Sequence, residues 1–244
     1  MNDLEKYFEN NDKRVLHKWL HYFEVYERHF SKYRDKEIVL VEIGSFHGGS
    51  LQMWKDYFGP KIKIIGIDIN PECLKLKEDQ IDIIIGDQND KDFLESLKSK
   101  IPKIDILIDD GGHTMSQQIN TFESLFDHVD PNGIYLCEDT HTSYWKDFGG
   151  GFKKSSSFIE YSKHFIDYIH AWHTEKLTVS DFTKSAKSLH YYDSIVVIEK
   201  CPMVEPTHRK TGSIALNMDG LPNMNITFKS KIKSLIKKLL YSKN

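Results

Sequence analysis

Cysteine is scarce in this sequence. Its 244 residues hold 3, Cys73, Cys137 and Cys201, far apart and with no C-x-x-C pair, which argues against both a disulfide framework and a structural zinc site. Long apolar runs are missing too. No stretch approaches the ~20 apolar residues of a membrane span, and the opening MNDLEKYFENNDKR is charged where a signal peptide would be apolar. A cytoplasmic location is therefore expected. The net charge of -3 comes without any broad basic surface to neutralise phosphates, so nucleic acid is not an expected partner. Internal repeats and biased tracts are absent, and the length suits one full core with additions at its ends.

What the chain does have is an alternation. Short apolar runs at residues 38–43, 62–67, 81–85, 104–108 and 133–137 are separated by stretches of helical pattern, which predicts an α/β fold with a parallel sheet and crossover helices. A long helix is expected over residues 156–173, followed by a hairpin of residues 189–192 and 194–198 that closes the sheet with antiparallel strands. Before the sheet, Val15, Leu16, Trp19, Leu20, Phe23, Tyr26 and Phe30 recur at helical spacing and predict one or two amphipathic helices. The expected organisation is a helical cap over 1–36, one α/β domain over 37–200 and an extension over 201–244. In that extension Ile232, Leu235, Ile236, Leu239 and Leu240 share a helical face ringed by Lys231, Lys233, Lys237 and Lys238. Such a helix suits peripheral contact with an anionic inner membrane surface, or packing on the core or on a second subunit of a homo-oligomer.

In an open parallel sheet, ligands bind beyond the carboxyl ends of the strands, where the strand order reverses. The first run ends in Glu42, Gly44, Ser45 and a further glycine pair, a turn that lets backbone N–H groups approach a ligand closely. The second ends in Asp68, placed to accept from ribose hydroxyls, and the third in Gly86, Asp87 and Gln88, where Asp87 suits an adenine amino group. Ordinary βα turns also favour Gly and Asp, and a nicotinamide cofactor would use the same ribose carboxylate. The spacing from Gly44 to Gly48 is not the pyrophosphate fingerprint G-x-G-x-x-G, and Glu42 would repel phosphate. A cofactor with a sulfonium and an amine and no phosphate suits this acidic turn better.

The fourth run ends in Asp109, Asp110 and His113, and the fifth in Glu138 and Asp139. If those strands are neighbours, ~4.8 Å apart, the carboxylates of Asp110, Glu138 and Asp139 converge and call for a hard divalent ion, Mg²⁺ or Mn²⁺ rather than zinc. His113 would then serve as the base for a metal-bound hydroxyl. Helix capping is the plainer role for such carboxylates, and Asp109 either caps or touches the cofactor. Among the 12 histidines, His47, His164, His170, His173 and His190 are read as surface or hydrogen-bonded residues. Residues 140–152 mix Tyr144 and Trp145 with a glycine run, as a loop that covers a substrate would.

The stretches VEIGSFHGGSLQMW, IIGIDINP, GDQND, DILIDDGGHT, GIYLCEDTHTSYW, SFIEYSKHFIDYIHAW and SIVVIEK, in order over roughly residues 38–200, resemble the metal-dependent sugar O-methyltransferases of macrolide biosynthesis, the mycinamicin and macrocin type. More distantly they resemble cephalosporin hydroxylase-like proteins. The resemblance implies a Rossmann-like class I methyltransferase sheet that binds S-adenosylmethionine. It further implies Mg²⁺ on Asp110, Glu138 and Asp139, His113 as general base, and Glu42, Gly44, Ser45, Asp68 and Asp87 at the cofactor. The macrolide enzymes have a larger amino-terminal region than residues 4–33 supply, so a different acceptor is expected. The Lys-, Ile- and Asn-rich composition points to a nucleotide-activated sugar for capsule or lipopolysaccharide. A polyketide or phenolic acceptor, or a non-catalytic assembly subunit that keeps the cofactor fold, are the alternatives.

Overall fold

Each apolar run is a strand because both of its faces are covered. In the computed structural model, which describes residues 1–216, strands β1 (Ile38–Ile43), β2 (Ile62–Asp68), β3 (Ile81–Ile85), β4 (Ile104–Asp109) and β5 (Val129–Cys137) run parallel. The hairpin β6 (Ala186–Tyr192) and β7 (Ile195–Lys200) completes a sheet of order β3-β2-β1-β4-β5-β7-β6, with β7 antiparallel to both neighbours. Successive residues of a strand face opposite layers. Leu40, Ile64, Ile106 and Leu136 belong to one core with Tyr26, Phe30 and Trp54, while Val41, Ile65, Leu107 and Tyr135 belong to a second with Leu97, Phe122 and Phe165.

The helices are α1 (Asp3–Glu9), α2 (Tyr22–Phe30), α3 (Gly49–Phe58), α4 (Lys91–Leu97), α5 (Met115–Leu125), α6 (Phe158–Ile169) and α7 (Asp181–Ser185). Helix α5 begins at a capping box in which Thr114 accepts from the Gln117 N–H and the Gln117 side chain accepts from the Thr114 N–H. Because α3 follows β1 onto one face and α5 follows β4 onto the other, the strand order reverses between β1 and β4 and opens a crevice there. Helix α2 is fixed to α3 through aromatic rings, Tyr26 lying edge-on to Trp54 with centroids 5.1 Å apart.

Three expectations need adjusting. Residues 11–20 are not helical: Val15, Trp19 and Leu20 are 57%, 55% and 63% exposed, while Lys18 is buried. This segment crosses the sheet's crevice as an irregular strap, and its contacts there override the helical spacing of its apolar residues. Strand β5 starts earlier than expected, at Val129, and β6 at Ala186, where a register shift interrupts the pairing with β7. The long helix is shorter, ending at Ile169 before a separate turn over Ala171–His173.

Contacts divide the chain into Met1–Glu205 and Pro206–Asn244; the described residues of the second unit, 206–216, form neither helix nor strand. The basic helix expected over residues 229–241 lies outside the described residues. Among those described, no helix is long and apolar enough to cross a membrane.

Candidate active site

A cavity of about 410 Å³ opens at the carboxyl ends of β1 to β4. Its floor is the turn Gly44, Ser45 and Phe46, its sides carry Asp68, Asp87, Gln88 and the loop from Asp110 to His113, and Val15 to Lys18 of the strap form a further wall. Gly44 has φ +95°, and a Cβ there would lie 2.0 Å from the Asp110 carbonyl oxygen, so the two strand ends meet backbone to backbone. Asp68 shapes the turn: its Oδ2 accepts from the N–H groups of Ser45 (2.9 Å) and Phe46 (3.1 Å), and its Oδ1 from that of Asn70 (2.9 Å).

Gln88 works on the loop that follows β4. Its Nε2 donates to Asp109 Oδ1 (2.6 Å) and Thr121 Oγ1 (2.9 Å), and its Oε1 accepts from the Gly112 N–H (3.0 Å). Two residues expected at the cofactor, Glu42 and Asp109, are fully buried beneath the cavity and do not line it. Glu42 accepts from Ser50 Oγ at 2.8 Å. Burial pushes both carboxyls up to about 7, against Lys18 at Glu42 and against Gln88 at Asp109. They shape the site from below.

Asp110, His113 and Asp139 meet at the cavity wall. One ligand atom from each lies within 4.8 Å of the others, with His113 Nε2 3.9 Å from Asp110 Oδ1 and 3.5 Å from Asp139 Oδ2. His113 and Asp139 hold left-handed backbone, φ 55° and 51°, an unfavourable conformation for side-chain-bearing residues that persists where surrounding contacts impose it. The imposed contact is visible: Thr142 Oγ1 donates to the His113 carbonyl (2.9 Å) and to that of Asp139 (2.9 Å). Glu138 is adjacent but buried and outside the cavity lining, its Oε1 accepting from Tyr26 OH (2.7 Å) and its Oε2 from Lys18 Nζ (2.8 Å), which it shares with Asp110. Burial first, and Asp110 second, hold the Glu138 carboxyl well above the ordinary range, Lys18 and Tyr26 opposing.

Sequence reasoning expected the N-terminal segment to be a cap but missed Lys18, Tyr22 and Tyr26 as its contacts with the site. Lys18 Nζ lies 2.5 Å from Asp110 Oδ2, 2.8 Å from Glu138 Oε2 and 3.7 Å from Glu42 Oε1, and Tyr22 OH donates to Asp139 Oδ1 at 2.6 Å. Each of the three carboxylates expected to hold metal therefore has a partner in residues 18–26. Burial alone would lower the Lys18 pKa; Asp110 and Glu138, then Tyr26 and Glu42, outweigh it and hold the ammonium well above its ordinary range. The available signal was charge: carboxylates converging at two strand ends require a compensating cation, which a lysine can supply as well as a metal.

Beside Asp139, His141 packs against two half-exposed tryptophans, 4.6 Å from Trp145 and 6.0 Å from Trp19 between centroids. The segment expected to cover a substrate is folded on itself, the Gly150 N–H donating to the Trp145 carbonyl (2.8 Å) and that of Gly151 to the Ser143 carbonyl (2.8 Å). Tyr144 and Trp145 stay about half exposed on it.

A Rossmann-like sheet with a cavity at its switch point and an acidic, histidine-bearing wall is the framework of a methyltransferase domain, and residues 41–140 match the model of that domain. Beyond that domain the chain is similar to mycinamicin- and macrocin-type O-methyltransferases. It is 35% identical over 198 residues to mycinamicin VI 2''-O-methyltransferase of Micromonospora griseorubida, covering 75% of this chain and 49% of that one. It is 33% identical over 203 residues to an O-methyltransferase of Streptomyces olivaceus acting at the 2'-position of 8-demethyl-8-alpha-L-rhamnosyl tetracenomycin-C, covering 78% and 52%. A crystal structure of the methyltransferase MycE from the mycinamycin pathway, in complex with Mg, SAH and mycinamycin VI, superposes with a TM-score of 0.73 at 34% identity, covering 82% of this chain and 54% of that one. The chain thus spans about half the length of the curated relatives it matches.

Proposed function

We propose that the protein transfers the methyl group of S-adenosylmethionine to a sugar hydroxyl, with Mg²⁺ held by Asp110, Glu138 and Asp139 and with His113 as general base. The observation that carries this reading is the shared position of Asp110, His113 and Asp139 on the wall of a cavity at the switch point of the sheet. The donor set fits a hard cation, since carboxylate oxygens dominate it and a lysine ammonium already lies against two of them. A bound Mg²⁺ supplies Lewis acidity that lowers the pKa of a coordinated hydroxyl.

The remaining work falls to the chain's own residues. Gly44 and Ser45 bring backbone close to the cofactor, and Asp68 and Asp87 offer acceptors to its ribose and adenine. Asp68 already bonds the turn through Oδ2 and its own following loop, at Asn70, through Oδ1, so it orders both while keeping lone pairs for a ligand. His113 Nε2, on the side of the imidazole facing Asp110 and Asp139, takes the acceptor's proton. Trp19 and Trp145, flanking His141 next to Asp139, provide apolar faces on which a sugar ring can stack.

The relatives named above act on glycosylated natural products, and we extend that acceptor class, a sugar hydroxyl in a glycoside, to this chain. The nucleotide-activated capsule or lipopolysaccharide sugar expected from composition finds no support among them. The test is incubation with S-adenosylmethionine, Mg²⁺ and a panel of glycosides, nucleotide sugars and simple phenols, read by mass spectrometry. A glycoside product heavier by one methylene, lost on chelation, is expected. Turnover untouched by chelator refutes the metal role, and methylation of the phenols alone refutes the acceptor class.

A further inference from the structure

The ammonium of Lys18 is unusual in its company. Its side chain is 3% exposed, and two of its three carboxylate neighbours, Asp110 and Glu138, are the same side chains proposed above to hold the divalent ion. We propose that Lys18 is a tethered cation of the metal centre, sharing Asp110 and Glu138 with the ion and thereby setting how tightly the centre holds it. This inference rests on the reading that Asp110, Glu138 and Asp139 bind a divalent ion.

Three observations carry it. A buried ammonium is tolerated only when paired, and breaking such a pair leaves an uncompensated charge; here the pairing atoms are Asp110 Oδ2 and Glu138 Oε2. Asp110 is bidirectional, with Oδ2 on Lys18 and Oδ1 toward His113 Nε2, so one carboxylate links the lysine to the catalytic wall. The lysine also arrives on a fixed support. Arg14 anchors the strap by donating to the Leu76 carbonyl (3.0 Å) and pairing with Glu78 (3.0 Å), and the hydroxyls of Tyr22 and Tyr26 hold Asp139 and Glu138 from the adjoining helix. An ammonium held there repels an incoming divalent ion and competes with it for oxygen lone pairs. Lys18 is thus a positioning residue that tunes the centre, distinct from the strand-end residues that face the substrate.

The experiment measures Mn²⁺ affinity by the electron paramagnetic resonance of the free ion, which needs no turnover, in the whole chain and in Lys18→Met, Lys18→Arg, Tyr26→Phe and Asp139→Asn. Lys18→Met is expected to bind Mn²⁺ about tenfold tighter or more, because a unit positive charge next to the site is gone. Lys18→Arg and Tyr26→Phe, which keep the charge, should stay within about threefold of the parent, and Asp139→Asn should bind more weakly. Thermal unfolding gives a second readout: Lys18→Met should be less stable in chelator and gain more from saturating Mn²⁺ than the parent does.

Unchanged or weaker affinity in Lys18→Met, with binding lost in Asp139→Asn, overturns the role of Lys18 and leaves the metal reading intact. Parental affinity in Asp139→Asn refutes the metal reading, and the inference falls with it. If Lys18→Met folds only with Mn²⁺ present, the ion is replacing the lysine, as expected; failure to fold at saturating Mn²⁺ overturns the proposal.

Discussion

Gly49→Ala tests whether the strap is seated as closely as the structure has it. A Cβ on Gly49 would lie 2.2 Å from the Val15 carbonyl oxygen, 2.6 Å from its carbon and 2.8 Å from Leu16 Cα. All three are backbone atoms, so no side chain can rotate out of the way, and the strap must retreat by roughly 1 Å to restore ordinary contact. It is fastened on one side by Arg14 and on the other by Lys18, so the retreat strains one fastening or the other. Overpacking of this kind costs about 1–3 kcal/mol. Gly49 is the first residue of α3 and has no left-handed φ, so alanine also returns up to about 1 kcal/mol of helix propensity. The expected net loss is about 1–2 kcal/mol, read from urea unfolding. The same change should speed tryptic cleavage after Lys13 and Arg14, since a loosened strap opens locally more often than the molecule unfolds. Unfolding free energy within about 0.5 kcal/mol of the parent, together with an unchanged cleavage rate, would mean that the strap does not rest on α3.

Other outcomes follow from the same geometry. His113→Gln should keep S-adenosylmethionine binding in calorimetry and lose turnover by about a hundredfold or more; near-parental kcat would remove His113 as base. Glu42 has its pKa raised from 4.5 to about 7 by burial, so the folded chain binds this proton more tightly than the unfolded one. Its stabilising contribution is full below 4.5 and is lost as the pH rises through about 7. Glu42→Gln, which cannot ionise, should therefore gain stability relative to the parent across that window in chelator, and a pH-independent difference between the two denaturation series would contradict it.

The strands were legible because both of their faces are buried, which writes them as nearly unbroken apolar runs. The exceptions are local. Strand β5 opens with Val129 followed by Asp130, Pro131 and Asn132, which read as a turn, and β6 opens where its pairing slips near Ala186. Asp110, His113 and Asp139 were legible because a parallel sheet brings the residues after adjacent strands to one edge. Residues 11–20 were not, since their spacing looks helical while the structure inverts it, exposing Trp19 and burying Lys18. What buries Lys18 is a set of carboxylates at positions 42, 110 and 138, and no local pattern in the first twenty residues records them.

The partners of α2 also bear on how the molecule is made. Tyr22 and Tyr26 bond Asp139 and Glu138, and His29 bonds Glu199 and Tyr192, groups that lie 112 to 170 positions later in the chain. During synthesis α2 meets Trp54 of α3 early, but these hydroxyl and imidazole groups leave the ribosome long before their polar partners exist. Nascent chains stopped before β7 should therefore be more prone to aggregate than those carrying it, and completion of the last hairpin is the event that gives His29 its partners and finishes the docking of α2.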